Sequence, residues 1–292
     1  MRKIFTMFFW ILSLFLLFFL AQLWPFFFEG NASKSIKENA AIDPQSLGVF
    51  VINLDRSIER YASVEGPIKA LGYPTERISA VDGKALPPEE LARVADWDGF
   101  AKRFSKPAQA GMIGCSLSHF KAWEALLKSP YAYGLIFEDD VSFDGDAMKT
   151  VLADLVHHKW DICMLSISHR GMPLTVAGLP LGHKLCVYLA DVTHGSGYLI
   201  NRKAAEALLT KALPIRMPID HYFTRTWEFG LTLTGVENPR LVHQTFGDSD
   251  IGSTQRMNTW DQSLWTKLYR IGFRLNAYTM RFLSGLVSYF RY

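Results

Sequence analysis

Between Gly48 and Leu54 the chain reads Gly-Val-Phe-Val-Ile-Asn-Leu, an apolar run with one polar residue and no alternation. A strand that is apolar on both faces needs cover on both, and helices on either side of a parallel sheet provide it. Short runs of the same kind recur at Leu135–Phe137, Ile162–Ser166, Cys186–Ala190, Tyr198–Ile200 and Leu231–Gly235, and Thr75–Val81 reads as a further strand. The spacing of apolar residues predicts helices from Asp55-Arg56-Ser57 to Leu71, from Pro87, over Cys115–Lys128, Gly145–His157, Arg202–Leu213 and Ile219–Glu228. Strands alternating with helices predict an α/β fold, a mostly parallel sheet with helices on both faces.

In such sheets ligands gather at the carboxyl ends of the strands. Asp55, Asp82 and the run Glu138-Asp139-Asp140 all stand at predicted strand ends, so they can share one cleft. Crowded carboxylates repel one another and lose hydration unless a cation or many donors compensate. Oxygen-rich sites suit Mg²⁺ and Mn²⁺, which accept few protein carboxylates and fill their remaining positions with substrate phosphates and water. On the residues alone the reading ends at a metal with a phosphorylated substrate. Plainer roles stay open: Asp55 as a helix cap, Asp82 in an Asp-Gly turn, and His119 as a hydrogen-bonded core histidine.

The chain's ends differ from its middle. From Ile4 to Phe28 only Thr6, Ser13, Gln22 and Pro25 interrupt an apolar run, preceded by Arg2 and Lys3. A run of that length suits an uncleaved bilayer anchor, with Trp24–Phe28 at the interface. Lys34 and Lys37 balance Arg2 and Lys3 across it, so charge hardly orients it. The three cysteines show no disulfide framework or metal spacing and favour a reducing compartment, whereas Asn31-Ala32-Ser33 is a sequon that matters only in a secretory pathway. At the other end, Trp265–Tyr292 carries Lys267, Arg270, Arg274, Arg281 and Arg291 with no acid, beside an apolar stripe at helical spacing. Such a helix can lie on anionic lipid or pack on its own domain. The expected division is an anchor over 1–28, a linker over 29–46, a catalytic domain over 47–255 and a basic amphipathic tail over 256–292. A net charge of +3 without a long basic run excludes nucleic acid as the expected partner.

Several segments together resemble glycosyltransferase family 25, from about Gly48 to Ser253. They are Val51-Ile52-Asn53-Leu54-Asp55-Arg56-Ser57 with Arg60, Ala80-Val81-Asp82-Gly83, Gly114-Cys115-Ser116-Leu117-Ser118-His119 with Trp123, Leu135–Val141, and His194-Gly195-Ser196-Gly197-Tyr198. The position before Ile-Gly-Cys that the family usually gives to Glu is Met112 here. The resemblance implies a GT-A type, Rossmann-like fold and metal-dependent, inverting transfer of a hexose from a nucleotide sugar, galactose from UDP-galactose first among them. Glu138 and Asp140 then form the D-x-D-like pair, one toward ribose and one toward Mn²⁺ or Mg²⁺, with Asp139 in support. His243 is a further candidate metal ligand. Asn53, Asp55, Arg56, Arg60, Asp82, Ser118 and His119 would hold the donor, and Gly195 and Gly197 would let backbone approach the sugar. Asp220 in Met217-Pro218-Ile219-Asp220-His221 is the expected base for the acceptor hydroxyl, unless it serves only as an acid at a helix start.

The implied partners are a UDP-sugar, a glycan or glycolipid acceptor such as lipopolysaccharide core oligosaccharide, and membrane lipid. Cytosolic supply of nucleotide sugars places the expected catalytic domain on the cytoplasmic side of a bacterial inner membrane. Transfer of another sugar such as glucose, or a noncatalytic glycan-binding role that Met112 would suit, are the alternatives.

Overall fold

The computed structural model describes residues 46–104, 108–169, 171–245 and 263–292. The expected anchor, the linker up to residue 45, the sequon, the end of the catalytic domain over 246–255 and the first residues of the tail lie outside these residues. Among the described residues no helix is long and apolar enough to cross a membrane.

In chain order the strands are β1 (Leu47–Asn53), β2 (Thr75–Ser79), β3 (Tyr133–Glu138), β4 (Val141–Ser142), β5 (Ile162–Met164), β6 (Ser168–His169), β7 (Pro173–Gly178), β8 (Lys184–Tyr188), β9 (Val192–Thr193), β10 (Gly197–Asn201), β11 (Leu233–Glu237) and β12 (His243–Gln244). The helices are α1 (Ile58–Ala70), α2 (Pro88–Val94), α3 (Trp97–Phe104), α4 (Ala110–Lys128), α5 (Gly145–Leu155), α6 (Arg202–Leu209), α7 (Ile219–Phe223) and α8 (Leu264–Arg291).

Eight strands form one mixed sheet in the order β2-β1-β3-β10-β5-β11-β8-β7. Their pairings make six strands point the same way, with β10 and β8 running against them. The expected mostly parallel sheet is therefore present with two reversals. One reversal comes from the hairpin of β7 and β8; β7 is half exposed and gives no buried apolar run to read.

Every residue of β1 is buried, as its unbroken apolar run requires. Its side chains alternate between two cores: Phe50 and Ile52 join Ile136 and Trp123 on one face, while Val49 and Val51 join Leu135 and Phe137 on the other. Helices α4 and α6 cover the first face. Helices α1 and α5 cover the second through Val64, Ile68, Met148 and Leu152. At the start of α1 the expectation fails in detail, because Ile58 is exposed and neither Asp55 nor Ser57 caps the helix with its side chain. Helix α4 begins at Ala110, earlier than Cys115, which brings Met112 onto the core and Gly114 onto the loop after β2.

The parallel strands β2, β1 and β3 end at the same edge of the sheet. Because β10 runs antiparallel to β3, its first residue Gly197 pairs with Phe137, and the 194–196 loop meets the carboxyl end of β3. A β4–β12 pair then sets Gln244 across from Val141, beside the acids. Topology alone thus gathers four sequence-distant segments at one edge.

Candidate active site

The acids that end β3 take three different environments. Glu138 is anchored through its backbone N–H, which donates to Ser196 O at 2.9 Å. Its Oε1 lies 3.2 Å from His119 Nε2. Asp139, 7% exposed, accepts from Asn53 Nδ2 at 2.7 Å and pairs with Arg60. Asp140 accepts from Gln244 Nε2 at 2.7 Å on Oδ2, which also lies 3.3 Å from Arg60. Its other oxygen, Oδ1, is buried with no hydrogen-bond partner among the described residues.

These environments set the charges. Burial and the negative charge of Glu138 push the Asp140 carboxyl up to about 6, against the pull of Gln244 and Arg60. Burial also raises Glu138, but the hydrogen bond and charge of His119, with His194 and Arg60, outweigh it and hold that carboxyl below its ordinary value. One acid is thus kept ionised and the other poised near neutrality.

His119 is fully buried on α4 between Glu138 and β10. Its Nδ1 is 2.8 Å from the Tyr198 hydroxyl, to which Trp123 Nε1 donates at 2.8 Å. Burial holds Tyr198 well above the ordinary phenol range, so the hydroxyl keeps its proton between Trp123 and the imidazole. Cys115, one turn earlier on α4, brings its sulfur within 4.8 Å of the His119 and Glu138 ligand atoms. Burial, with Glu138, Asp220 and Asp140 adding, holds its thiol well above the ordinary range.

A cleft of about 350 Å³ opens over these groups, walled by Asn53, Arg56, Arg60, Asp82, Ser118, His119, Glu138 and Asp140, all of them sequence candidates, together with Cys115, Gln244 and Thr245. Arg56 and Asp82 form an ion pair at its wall, and Asp82 Oδ1 accepts from Lys84 N, so the turn role and the cleft role coincide. Ser118 faces the loop instead of reaching outward: Val81 N donates to its Oγ, which donates to Gly114 O. A Cβ on Gly114 would stand 2.5 Å from Gly83 N and Val81 O, so this glycine is needed for close approach of α4 to the loop.

Other candidates stand elsewhere. Asp55 is 70% exposed at its side chain and is taken by Arg77 at 2.7 Å and Ser79 at 2.8 Å, outside the cleft walls. Those hydrogen bonds hold its carboxyl below the ordinary range. His243 is exposed: side chains alternate along β12, so Gln244 turns to Asp140 and His243 turns away. Gly197 is packed under Phe137 and Val242, whereas Gly195 lies beside the His119–Glu138 pair. Asp220, at the start of α7, accepts from the backbone N–H of His194 at 3.2 Å and of His221 at 2.9 Å. His194 holds a φ of 107°, strained for a non-glycine residue, and so aims its N–H at Asp220.

The residues fit a hard divalent cation at Asp140, whose bare, buried oxygen is a ligand without a donor. The Cys115–His119–Glu138 triangle fits one less well, since the thiol is protonated and Nε2 is committed to Glu138. Sequence reasoning missed Cys115, Gln244 and Thr245. Only Cys115 had a signal, its place one helical turn before His119.

Residues 46–171 match the family model described as glycosyltransferase family 25 (LPS biosynthesis protein). Procollagen galactosyltransferase 1-A of Xenopus laevis is 25% identical over 237 residues, 73% of this chain and 39% of that protein. A probable inactive glycosyltransferase 25 family member 3 of Rattus norvegicus is 26% identical over 246 residues, covering 75% and 42%. The chain spans about two fifths of the length of these relatives. Among solved structures, a Drosophila β-1,4-galactosyltransferase 7 mutant in complex with manganese, UDP-Gal and xylobiose aligns with a TM-score of 0.37 at 12% identity, over 76% of this chain and 79% of that one. Through residues 46–171, this chain is similar to glycosyltransferase family 25.

Proposed function

We propose that this chain is a glycosyltransferase that moves a hexose, galactose from UDP-galactose in the first instance, to a hydroxyl of a cell-surface glycan such as lipopolysaccharide core oligosaccharide. The observation that carries the reading is the cleft itself, where Asp140 keeps an unpartnered buried oxygen while Arg56 and Arg60 line the same walls. In the D-x-D-like assignment Glu138 and Asp140 would hold Mn²⁺ or Mg²⁺, which when bound neutralises charge on the leaving diphosphate.

The chain's own residues do the rest. Arg56 and Arg60 attract the diphosphate end of the donor. Asn53 and Arg60 brace Asp139, and this fixes the direction of its neighbours on β3. The Trp123–Tyr198–His119 relay holds Glu138 ionised and oriented. Asp220 is assigned as the base that takes the acceptor proton; the His194 N–H holds its Oδ2 beside the loop that leads to Gly195.

Attachment to membrane lipid belongs to the same proposal. Helix α8 buries Ala277, Met280, Ser284, Gly285 and Ser288 against the domain. At 3.6 residues per turn, Leu264, Leu268, Ile271, Leu275, Phe282 and Tyr289 fall on the side away from it, all exposed, with Lys267 on the flank. The packed face meets the expectation of a helix docked on its own domain, and the exposed face would suit an anionic lipid surface. Screening UDP-sugars for release of UDP tests the assignment: turnover with at least one supports it, and binding without turnover across the panel overturns it.

A further inference from the structure

A second cavity, of about 290 Å³, lies among α3, α7 and the middle of α8. It shares no wall residue with the first. His221, the residue after Asp220, lines it, so it adjoins the proposed catalytic base.

Its chemistry is that of donors in excess. Arg103, Arg225 and Arg274 are on the wall, and among the described residues Asp191 is its one carboxylate. Arg225, 8% exposed, stacks 4.9 Å from the Trp227 ring and 4.8 Å from Phe273, with Nε donating to Glu228. Arg281, 2% exposed, stacks on the same Trp227 ring at 4.6 Å. Such stacks fasten α8 to the domain, yet fastening leaves several donors unexplained. Arg103 Nη1, Trp227 Nε1 and Arg281 Nε are all buried without a hydrogen-bond partner among the described residues. Asp96 is 3.8 Å from Arg103, too far for a hydrogen bond. Buried donors without acceptors are rare and costly, and two of these three, on Arg103 and Trp227, belong to residues that line the cavity, where an oxyanion would supply the missing acceptor.

We infer that this cavity binds an anionic group, phosphate or carboxylate, carried by the acceptor. The group's oxygens would take Arg103, Arg274 and the Trp227 N–H, and the Phe273 and Tyr278 rings offer faces for an adjoining sugar. Held there, the acceptor is anchored next to Asp220. That it is the acceptor rests on the proposed transfer; that the cavity takes an anion does not.

The test therefore uses anions and no nucleotide sugar. The full chain in detergent is titrated with inorganic phosphate and, separately, acetate, following thermal unfolding of wild type, Arg274→Gln and Arg60→Gln. Arg274 is exposed, so its substitution leaves packing intact. Stabilisation by one or both anions should persist in Arg60→Gln, which alters the nucleotide cleft, and weaken at least about tenfold in Arg274→Gln. The more effective anion identifies the group. Absence of stabilisation in wild type, its loss in Arg60→Gln, or its survival in Arg274→Gln overturns the inference.

Discussion

Gln244 Nε2 donates to Asp140 Oδ2 at 2.7 Å and leaves Oδ1 of the same carboxylate buried and bare. This pair joins β12 to the end of β3 and sorts three adjacent acids into different roles. Asp139 is taken by Asn53 and Arg60, Glu138 is held by His119 through one oxygen, and Asp140 keeps a buried oxygen with no hydrogen-bond partner among the described residues.

Divalent cation affinity should rise with pH through about 6. Asp140's folded pKa is raised from 3.8 to about 6, so the metal-free fold favours its neutral form. Its contribution to stability is greatest below the unfolded value and is lost as pH rises through 6, at a cost of about 3 kcal/mol. A cation needs the ionised form, so its binding has the opposite trend. Mn²⁺ titration by calorimetry between pH 5 and about pH 7.5 should show tighter binding at the upper end; affinity that is flat with pH removes Asp140 as a ligand.

Replacing His119 should disturb charge more than packing. His119→Phe keeps the ring's bulk but leaves the Tyr198 hydroxyl and Glu138 without their partner, a loss of about 1–3 kcal/mol in urea unfolding. Without His119 the Glu138 carboxyl titrates higher, so the acid limb of the activity profile should move to higher pH. An unmoved acid limb separates Glu138 from the chemistry.

Gly114→Ala should destabilise the fold by about 1–3 kcal/mol through overpacking. The new methyl would meet Gly83 N and Val81 O, forcing α4 off the loop that carries Asp82. Thermal unfolding and UDP binding should fall together. A neutral substitution would show that the loop yields.

The exposed face of α8 should enter lipid. With a solvatochromic probe on Leu275→Cys, the full chain in vesicles containing phosphatidylglycerol should show a blue shift that is absent in neutral vesicles. The same spectrum in both would leave this face outside the anionic bilayer surface.

Much of this arrangement was legible in the sequence where one physical pressure acted alone. The unbroken apolar run of β1 required burial on both sides, and the acids after β3 marked the ligand edge. Asp55 misled because any acid after a strand can be claimed by a nearby cation, here Arg77, and sequence does not show which claim wins. His243 misled for a related reason: which side chain of β12 turns inward depends on a two-residue pairing with β4 that leaves no hydrophobic pattern. Gln244 was invisible on the same ground, and the reversal at β8 depended on a half-exposed partner strand.

The central claim is that Asp140 takes a cation for sugar transfer. It is tested most directly by measuring UDP release from UDP-galactose by the full chain, with and without Mn²⁺, in wild type and Asp140→Asn. Turnover that requires Mn²⁺ and falls by at least about a hundredfold in Asp140→Asn, with unfolding cooperativity retained, is the predicted result. Donor binding without turnover in wild type, or turnover indifferent to both the cation and the substitution, would contradict it.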